Sequence, residues 1–416
     1  MRKFFLFVVC SFLVKAQNQE DIMVQEYNYS GFHNGNSKVL VSLQADMEGN
    51  SRRAITNSFV KTLVFDSYVD DARKNEVISR LKAVNPIGLY GNQNFYLKYK
   101  LDSTIVLGVY ANNTDLIRSS LSADFFKVAF KGNAAYAGQT AHLTDTRISY
   151  INYQTIGFSV DKRVGPHLLG FGLSYVTVGQ YQNHEIKRGL LYTAEDGTYI
   201  DLDADIRLQS SGTNANNRYF NNKGSGTALN LTYLYKSKSG KLFLAATATD
   251  LGVVTIKDIE TYHKDSTYRF NGVDVGNLFE FDTEEFKKIH TDSLNEILKM
   301  KKEVKTEAKF LPFRLKLAVR YEVSSRISLL SELHYLHTWM YVPRVTFGGT
   351  YKACDRFTAF AKVSAGGLGF VDTHIGFNTL LPGKVNFYTS ANLLEGLIAP
   401  SKTSGLALNV ALSRIF

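Results

Sequence analysis

The end of the chain, Ser404–Phe416, alternates without a break. Leu406, Leu408, Val410, Leu412 and Phe416 fall on one face of an extended strand, and Ala407, Asn409, Ala411 and Ser413 on the other. A strand with one apolar face and one small or polar face, ending on an aromatic residue, suits the closing strand of a membrane barrel, which meets hydrocarbon outside and a polar lumen inside. The edge of a soluble β-sandwich offers the same alternation, so the rest of the chain must choose between them.

Residues 1–16, MRKFFLFVVCSFLVKA, place Arg2 and Lys3 before an apolar run from Phe4 to Val14 and end on Ala16, the pattern of a secretory signal peptide. That run is too short to cross a bilayer, and no later stretch holds the roughly twenty apolar residues of a membrane helix. A closed barrel is the membrane architecture that remains, because closure satisfies the hydrogen bonds of every strand. With the signal removed, Cys354 is the last cysteine, which excludes an intramolecular disulfide. The formal charge of +10 is dispersed rather than gathered into a stripe, and with export this argues against a nucleic-acid partner.

Residues 17–36 are polar without a period and read as a periplasmic lead-in to a barrel over residues 37–416. Lys38–Ala45 is a candidate first strand, and Glu76–Val84 a short helix ended by Pro86. From Asn94 the alternation is regular: Phe95, Leu97 and Tyr99 oppose Tyr96, Lys98 and Lys100, while Leu315, Leu317, Val319 and Tyr321 oppose Arg314, Lys316 and Arg320. The fold expected is all-β, an antiparallel transmembrane barrel of fourteen strands, or sixteen if the weak segments near Lys38 and Ile186 both count. If the last strand descends to the periplasm, LPGK, ACDR, Val323-Ser324, SKSG and Asp196-Gly197 become short turns on that side, and residues 113–146, 209–224 and 252–310 become long external connections. Leu406, Leu408, Val410 and Leu412 should then face lipid. A helical insertion is expected near residues 283–304, where Asp282 and Glu285 form a capping box ahead of Phe286, Ile289, Leu294 and Ile297.

The charges that alternate inward form a candidate lumen ladder: Asp201, Asp203, Asp205 and Arg207 from one strand, with Arg314, Lys316, Arg320, Arg326 and Glu332 from others. Opposed rows would either select solutes in an open pore or satisfy one another in a sealed one. No HExxH, GxSxG, GK[ST] loop or zinc-spaced cysteine pair occurs, and His334 with His337 lacks a neighbouring carboxylate in ligand spacing. We therefore expect no catalytic residue, cofactor or metal.

Four stretches, FKVAFKGNAAYAG, LFLAATATDLGVVTIKD, YRFNGVDVGNLF and VNFYTSANLLEGLIAP, together resemble an uncharacterised family of Bacteroidota outer-membrane barrels, a domain of unknown function. The resemblance covers most of the chain from about residue 120 and implies location in the outer membrane of a Gram-negative bacterium, in contact with its lipid. More distantly, the chain is similar to fatty-acid-transporter-like barrels and to barrels associated with type IX secretion. The expected role is passive transport of a solute or hydrophobic molecule. The alternatives are a structural or anchoring partner of an envelope or secretion-system protein, and a soluble β-sandwich binding module.

Overall fold

The computed structural model describes residues 21–33, 35–52, 54–65, 69–211, 222–271, 300–369, 371–391 and 401–416. Its strands are β1 (Val39–Asn50), β2 (Val84–Lys100), β3 (Ile105–Ser122), β4 (Thr140–His142), β5 (Thr146–Val164), β6 (His167–Thr193), β7 (Tyr199–Ser211), β8 (Gly224–Lys236) and β9 (Leu242–Asn271), followed by β10 (Lys301–Phe310), β11 (Arg314–Glu322), β12 (Ile327–Leu336), β13 (Val342–Cys354), β14 (Phe357–Gly367), β15 (Val371–Leu381), β16 (Val385–Ala391) and β17 (Gly405–Ile415). All belong to one antiparallel sheet. Fourteen of them close it: β17 pairs with β1 from Leu40↔Ile415 to Asn50↔Gly405, leaving the barrel no free edge. A sandwich would need two stacked sheets, so that alternative falls.

The outer surface carries the apolar alternation. Leu97, Val109, Phe158, Phe171, Leu173, Leu317, Leu329 and Phe347 are exposed, while their sequence neighbours are turned inward. This belt would be insoluble in water and is matched by hydrocarbon, which makes the chain an outer-membrane barrel. Tyr99, Tyr321, Tyr351, Phe357 and Phe416 are exposed near one end, beside the short turns, as an aromatic girdle. The N–H of Phe416 bonds to Val39 O and its carbonyl accepts from Lys38, so the first and last strands of the barrel meet at that rim. On β17, Leu412 is exposed and Leu406, Leu408 and Val410 are half-buried, opposite buried Ala407, Ala411 and Ser413.

The wall is uneven. β6 and β9 run 27 and 30 residues, whereas β12 has 10 and β16 has 7. The upper parts of β6 and β9 leave the barrel as a blade, with β7 between them and β10 along the far side of β9. This changes two sequence expectations. Ile186 does not open a separate strand: a bulge between Ile186 and Arg188 breaks the alternation inside β6. Asp196-Gly197 consequently turns at the outer tip of the β6–β7 hairpin rather than at the periplasm, while the SKSG turn, with Gly240 at φ +73°, is periplasmic.

Pro86 lies in β2 rather than ending a helix. It sits beyond the last β1 partner, Asn50↔Gly88, so one of its sides is a sheet edge where no N–H is required. Helices α2 (Asn57–Phe65), α3 (Asp71–Ile78) and α4 (Ala123–Lys131) pack over the outer rim near β1–β3, burying Phe59, Val77, Phe126 and Phe130 together. Ser122 caps α4 by accepting from Phe125 N at 3.0 Å, and Asp70 caps α3 from Arg73 N at 2.8 Å. Residues 1–16 and the candidate helix from 283 to 299 lie outside the described residues; Lys301–Val304 belong to β10.

Candidate functional site

The lead-in does not hang in the periplasm. It enters the barrel as α1 (Ile22–Asn28) and a π-helical turn (Tyr29–His33). Ile22, Met23, Val24 and Tyr29 pack against inward residues of many strands, including Leu168, Phe243, Ala318, Leu330, Phe360 and Ala411. Fully burying side chains of this size contributes about 1.5–3 kcal/mol each, which holds the segment in place more firmly than any single polar contact.

Charges fix its orientation. Asp21 caps α1 by accepting from Met23 N at 3.0 Å and also accepts from Lys362 Nζ at 2.5 Å and Tyr388 OH at 2.8 Å. Lys362 reaches Glu332 at 2.8 Å, and Glu332 pairs with Lys316 at 3.2 Å. One turn along α1, Glu26 accepts from Arg320 at 2.6 Å and Lys236 at 2.9 Å. At the rim, Lys100 donates to the carbonyls of Phe32 and Gly35, and Arg163 to His33 O at 3.2 Å. The periplasmic end of the lumen is filled.

Above the plug lies a polar chamber of about 90 Å³, bordered by Asp46, Glu48, Arg314, Glu332, Arg344 and Lys362. It has room for a few waters at roughly 30 Å³ each. Asp250, turned inward by a bulge with φ +60°, holds Arg314 at 2.5 Å and accepts from Tyr153 OH at 3.0 Å. Arg344 pairs with Glu48 at 2.7 Å. In a low-dielectric wall such pairs must form together, because either charge alone would be costly.

The β12–β13 loop, residues 337–341, crosses the outer end. It folds across the mouth so that Trp339 Nε1 donates to Ser149 Oγ on β5 at 3.1 Å and Trp339 O accepts from Arg118 on β3 at 3.2 Å. Tyr341 of the loop packs with Leu336, Leu368, Tyr90 and Leu116.

The expected charge ladder is therefore two separate groups. Arg314, Lys316, Arg320 and Glu332 turn inward, where their partners are Asp250, Glu332, Glu26 and Lys362 respectively. Asp201, Asp203 and Asp205 sit on the blade, paired with Arg269 at 2.7 Å, Arg188 at 3.1 Å and His263 at 3.0 Å, because β6 carries β7 beyond the barrel. Arg207 is on the same strand, opposite His263, and Arg326 is exposed in a periplasmic turn. Hydrogen bonding to Arg269 lowers the Asp201 carboxyl below its ordinary value. His334 bonds Tyr341 OH at 2.7 Å and His337 stacks on Phe313, so the two do not converge. Among the described residues no group of three His, Cys, Asp or Glu side chains is placed to hold a metal.

Fold and site together define a plugged, fourteen-strand outer-membrane barrel with a charged lumen. The chain belongs to the family of unknown function DUF5723, whose model matches residues 33–392. No curated protein matches it. Among solved structures it is similar to a ΔS2S3 mutant of the TodX monoaromatic hydrocarbon channel, at 9% identity and TM-score 0.49, covering 96% of this chain and 95% of that one. It is also similar to a Pseudomonas aeruginosa FadL homologue, at 9% identity and TM-score 0.47 over 96% and 95% of the two chains. The translocator domain of autotransporter NalP from Neisseria meningitidis matches at 8% identity and TM-score 0.36, over 95% and 94%. Likenesses of this degree say nothing about cargo.

Proposed function

We propose that the protein is a gated channel for passive movement of small polar solutes across the outer membrane, held closed at rest. The observation that carries this reading is a polar chamber within the barrel, separated from the periplasm by a plug of thirteen residues, Asp21–His33, that belongs to no strand. The segment is held to the wall by side chains and pairs with no strand, so its departure would leave the closed sheet intact. The lining favours hydrophilic solutes over hydrophobic ones, since its charged pairs would lose hydration to an apolar cargo without compensation. Proteoliposome swelling tests it: barrels lacking residues 21–33 should admit sugars and amino acids faster than the intact protein. Equal, negligible swelling by both folded forms would argue against a channel.

A structural or anchoring role in an envelope assembly, type IX secretion among them, is the second reading. It is favoured by the β6–β7–β9–β10 blade, which projects beyond the barrel with Lys and Glu alternating along β10. Copurification of an envelope protein that depends on the blade, without solute flux, would select this reading.

A further inference from the structure

We propose that the outer mouth is a binding site for a small oxyanion, a solute carrying a carboxylate or a phosphate, formed by Arg52, Arg118 and Arg147 around Trp339, and that occupancy releases Trp339 from its position across the mouth. The inference rests on the gated-channel reading and names the class of solute admitted from outside.

The three arginines differ from the cations deeper in the lumen. Arg314, Arg344 and Lys362 each have a carboxylate within reach, at 2.5, 2.7 and 2.5 Å. Among the described residues Arg52, Arg118 and Arg147 have none, and their acceptors are neutral oxygens. Arg118 is 1% exposed; its Nε and Nη2 share the single carbonyl of Trp339 at 3.3 and 3.2 Å, and its Nη1 is buried without a partner. Arg52 Nη2 donates to the next carbonyl, Met340 O, at 2.8 Å, and its Nε is likewise unpartnered. Arg147 lies 4.9 Å from the Trp339 ring centre while its Nε donates to Asn183.

A guanidinium offers five donors in a planar fork suited to a carboxylate or phosphate, and bonds to an ionised acceptor are roughly twice as strong as bonds to a neutral one. A buried fork satisfied only by a shared backbone carbonyl is thus incompletely matched, and an oxyanion is the chemistry that completes it. Gly88 maintains the arrangement, since a side chain there would strike the Arg118 guanidinium and Leu368. The loop that occupies the site is itself strained, with Met340 at φ +56°, so it is held by these contacts rather than by its own backbone preference. An arriving oxyanion competes for the donors that hold the Trp339 carbonyl and leaves the indole its bond to Ser149 and its ring contacts with Arg147 and Arg118.

Trp339 is the single tryptophan of the chain, so its fluorescence reports on this loop alone. Full-length protein folded in detergent is titrated with inorganic phosphate and, in a parallel arm, with succinate, at constant ionic strength with chloride as the reference salt. Emission and quenching by neutral acrylamide are recorded. We expect a saturable change with greater quencher access in at least one arm, phosphate alone assigning a phosphoryl solute and succinate alone a carboxylate. Arg118→Gln should weaken the response about tenfold, as for loss of a charge-assisted hydrogen bond. Half-buried Arg147→Gln serves as the second variant if Arg118→Gln does not fold. A lack of saturable response to both anions, or an undiminished response in the folded arginine variants, overturns the proposal. The readout needs no flux, so a barrel that never conducts and a mouth that never binds are separately detected.

Discussion

Asp21, at the entry to α1, and Lys362, in the middle of β14, meet at 2.5 Å inside the barrel although 341 residues separate them in the chain. The contact ties the plug to the wall, and Lys362 passes it on to Glu332. Asp21→Asn removes the charge while keeping the shape and leaves Lys362 its second carboxylate. It should therefore cost about 1–3 kcal/mol, less than removal of an only partner. The temperature at which the barrel loses its heat-modifiable gel mobility is the measurement.

Asp250 has no such substitute. Its loss strands Arg314, both side chains being almost fully buried. Asp250→Ala should destabilise the barrel by about 3–5 kcal/mol. Asp203→Ala, on the exposed blade, should leave the unfolding midpoint unchanged. Denaturant unfolding of the two variants separates the lumen charges from the blade charges.

Leu408 lies mid-strand on the outward face of β17, between Ala407 and Asn409, which border the chamber. Leu408→Arg should cost about 2–4 kcal/mol when the protein folds into vesicles, the penalty of a cation near the bilayer midplane. A substitution with no effect on folding into vesicles would place Leu408 away from lipid.

The blade should respond to acid at its tip. The Asp201 carboxyl, hydrogen-bonded by Arg269, titrates below its ordinary value of 3.8. A depressed carboxylate contributes stability that is full above the ordinary value and lost as pH falls through the folded one. Amide protection factors around Tyr199–Asp203 should hold down to pH 3.8 and fall below it, and Asp201→Asn should remove that step.

The sequence revealed the outer half of this molecule better than the inner half. Lipid imposes one requirement on every outward position, so residues such as Leu315, Leu317 and Leu329 announce themselves by alternation alone. The lumen imposes only that charges pair, and partners are set by register across strands far apart in the chain. Asp201, Asp203 and Asp205 therefore show the alternation of a lumen-facing strand although they lie on the blade, and Asp250 carries no such signal because a bulge, not the alternation, turns it inside. Asp46 and Glu48 continue the polar inward face of β1, but Ala45 and Gly49 leave the outward face of its upper half too small to show the alternation. Arg118 and Arg344 gave no local signal. The plug was unreadable for a related reason: Ile22, Val24 and Phe32 are spaced for neither a strand nor a long helix, and their burial depends on walls contributed by the rest of the chain.

Single-channel recording in planar bilayers is the most direct test of a plugged channel. The full-length protein should be electrically silent. The Asp21→Asn/Glu26→Gln variant should open intermittently, and the form lacking residues 21–33 should conduct in sustained steps. Steady conductance by the intact protein, or silence of the folded barrel after the plug is removed, would contradict the account.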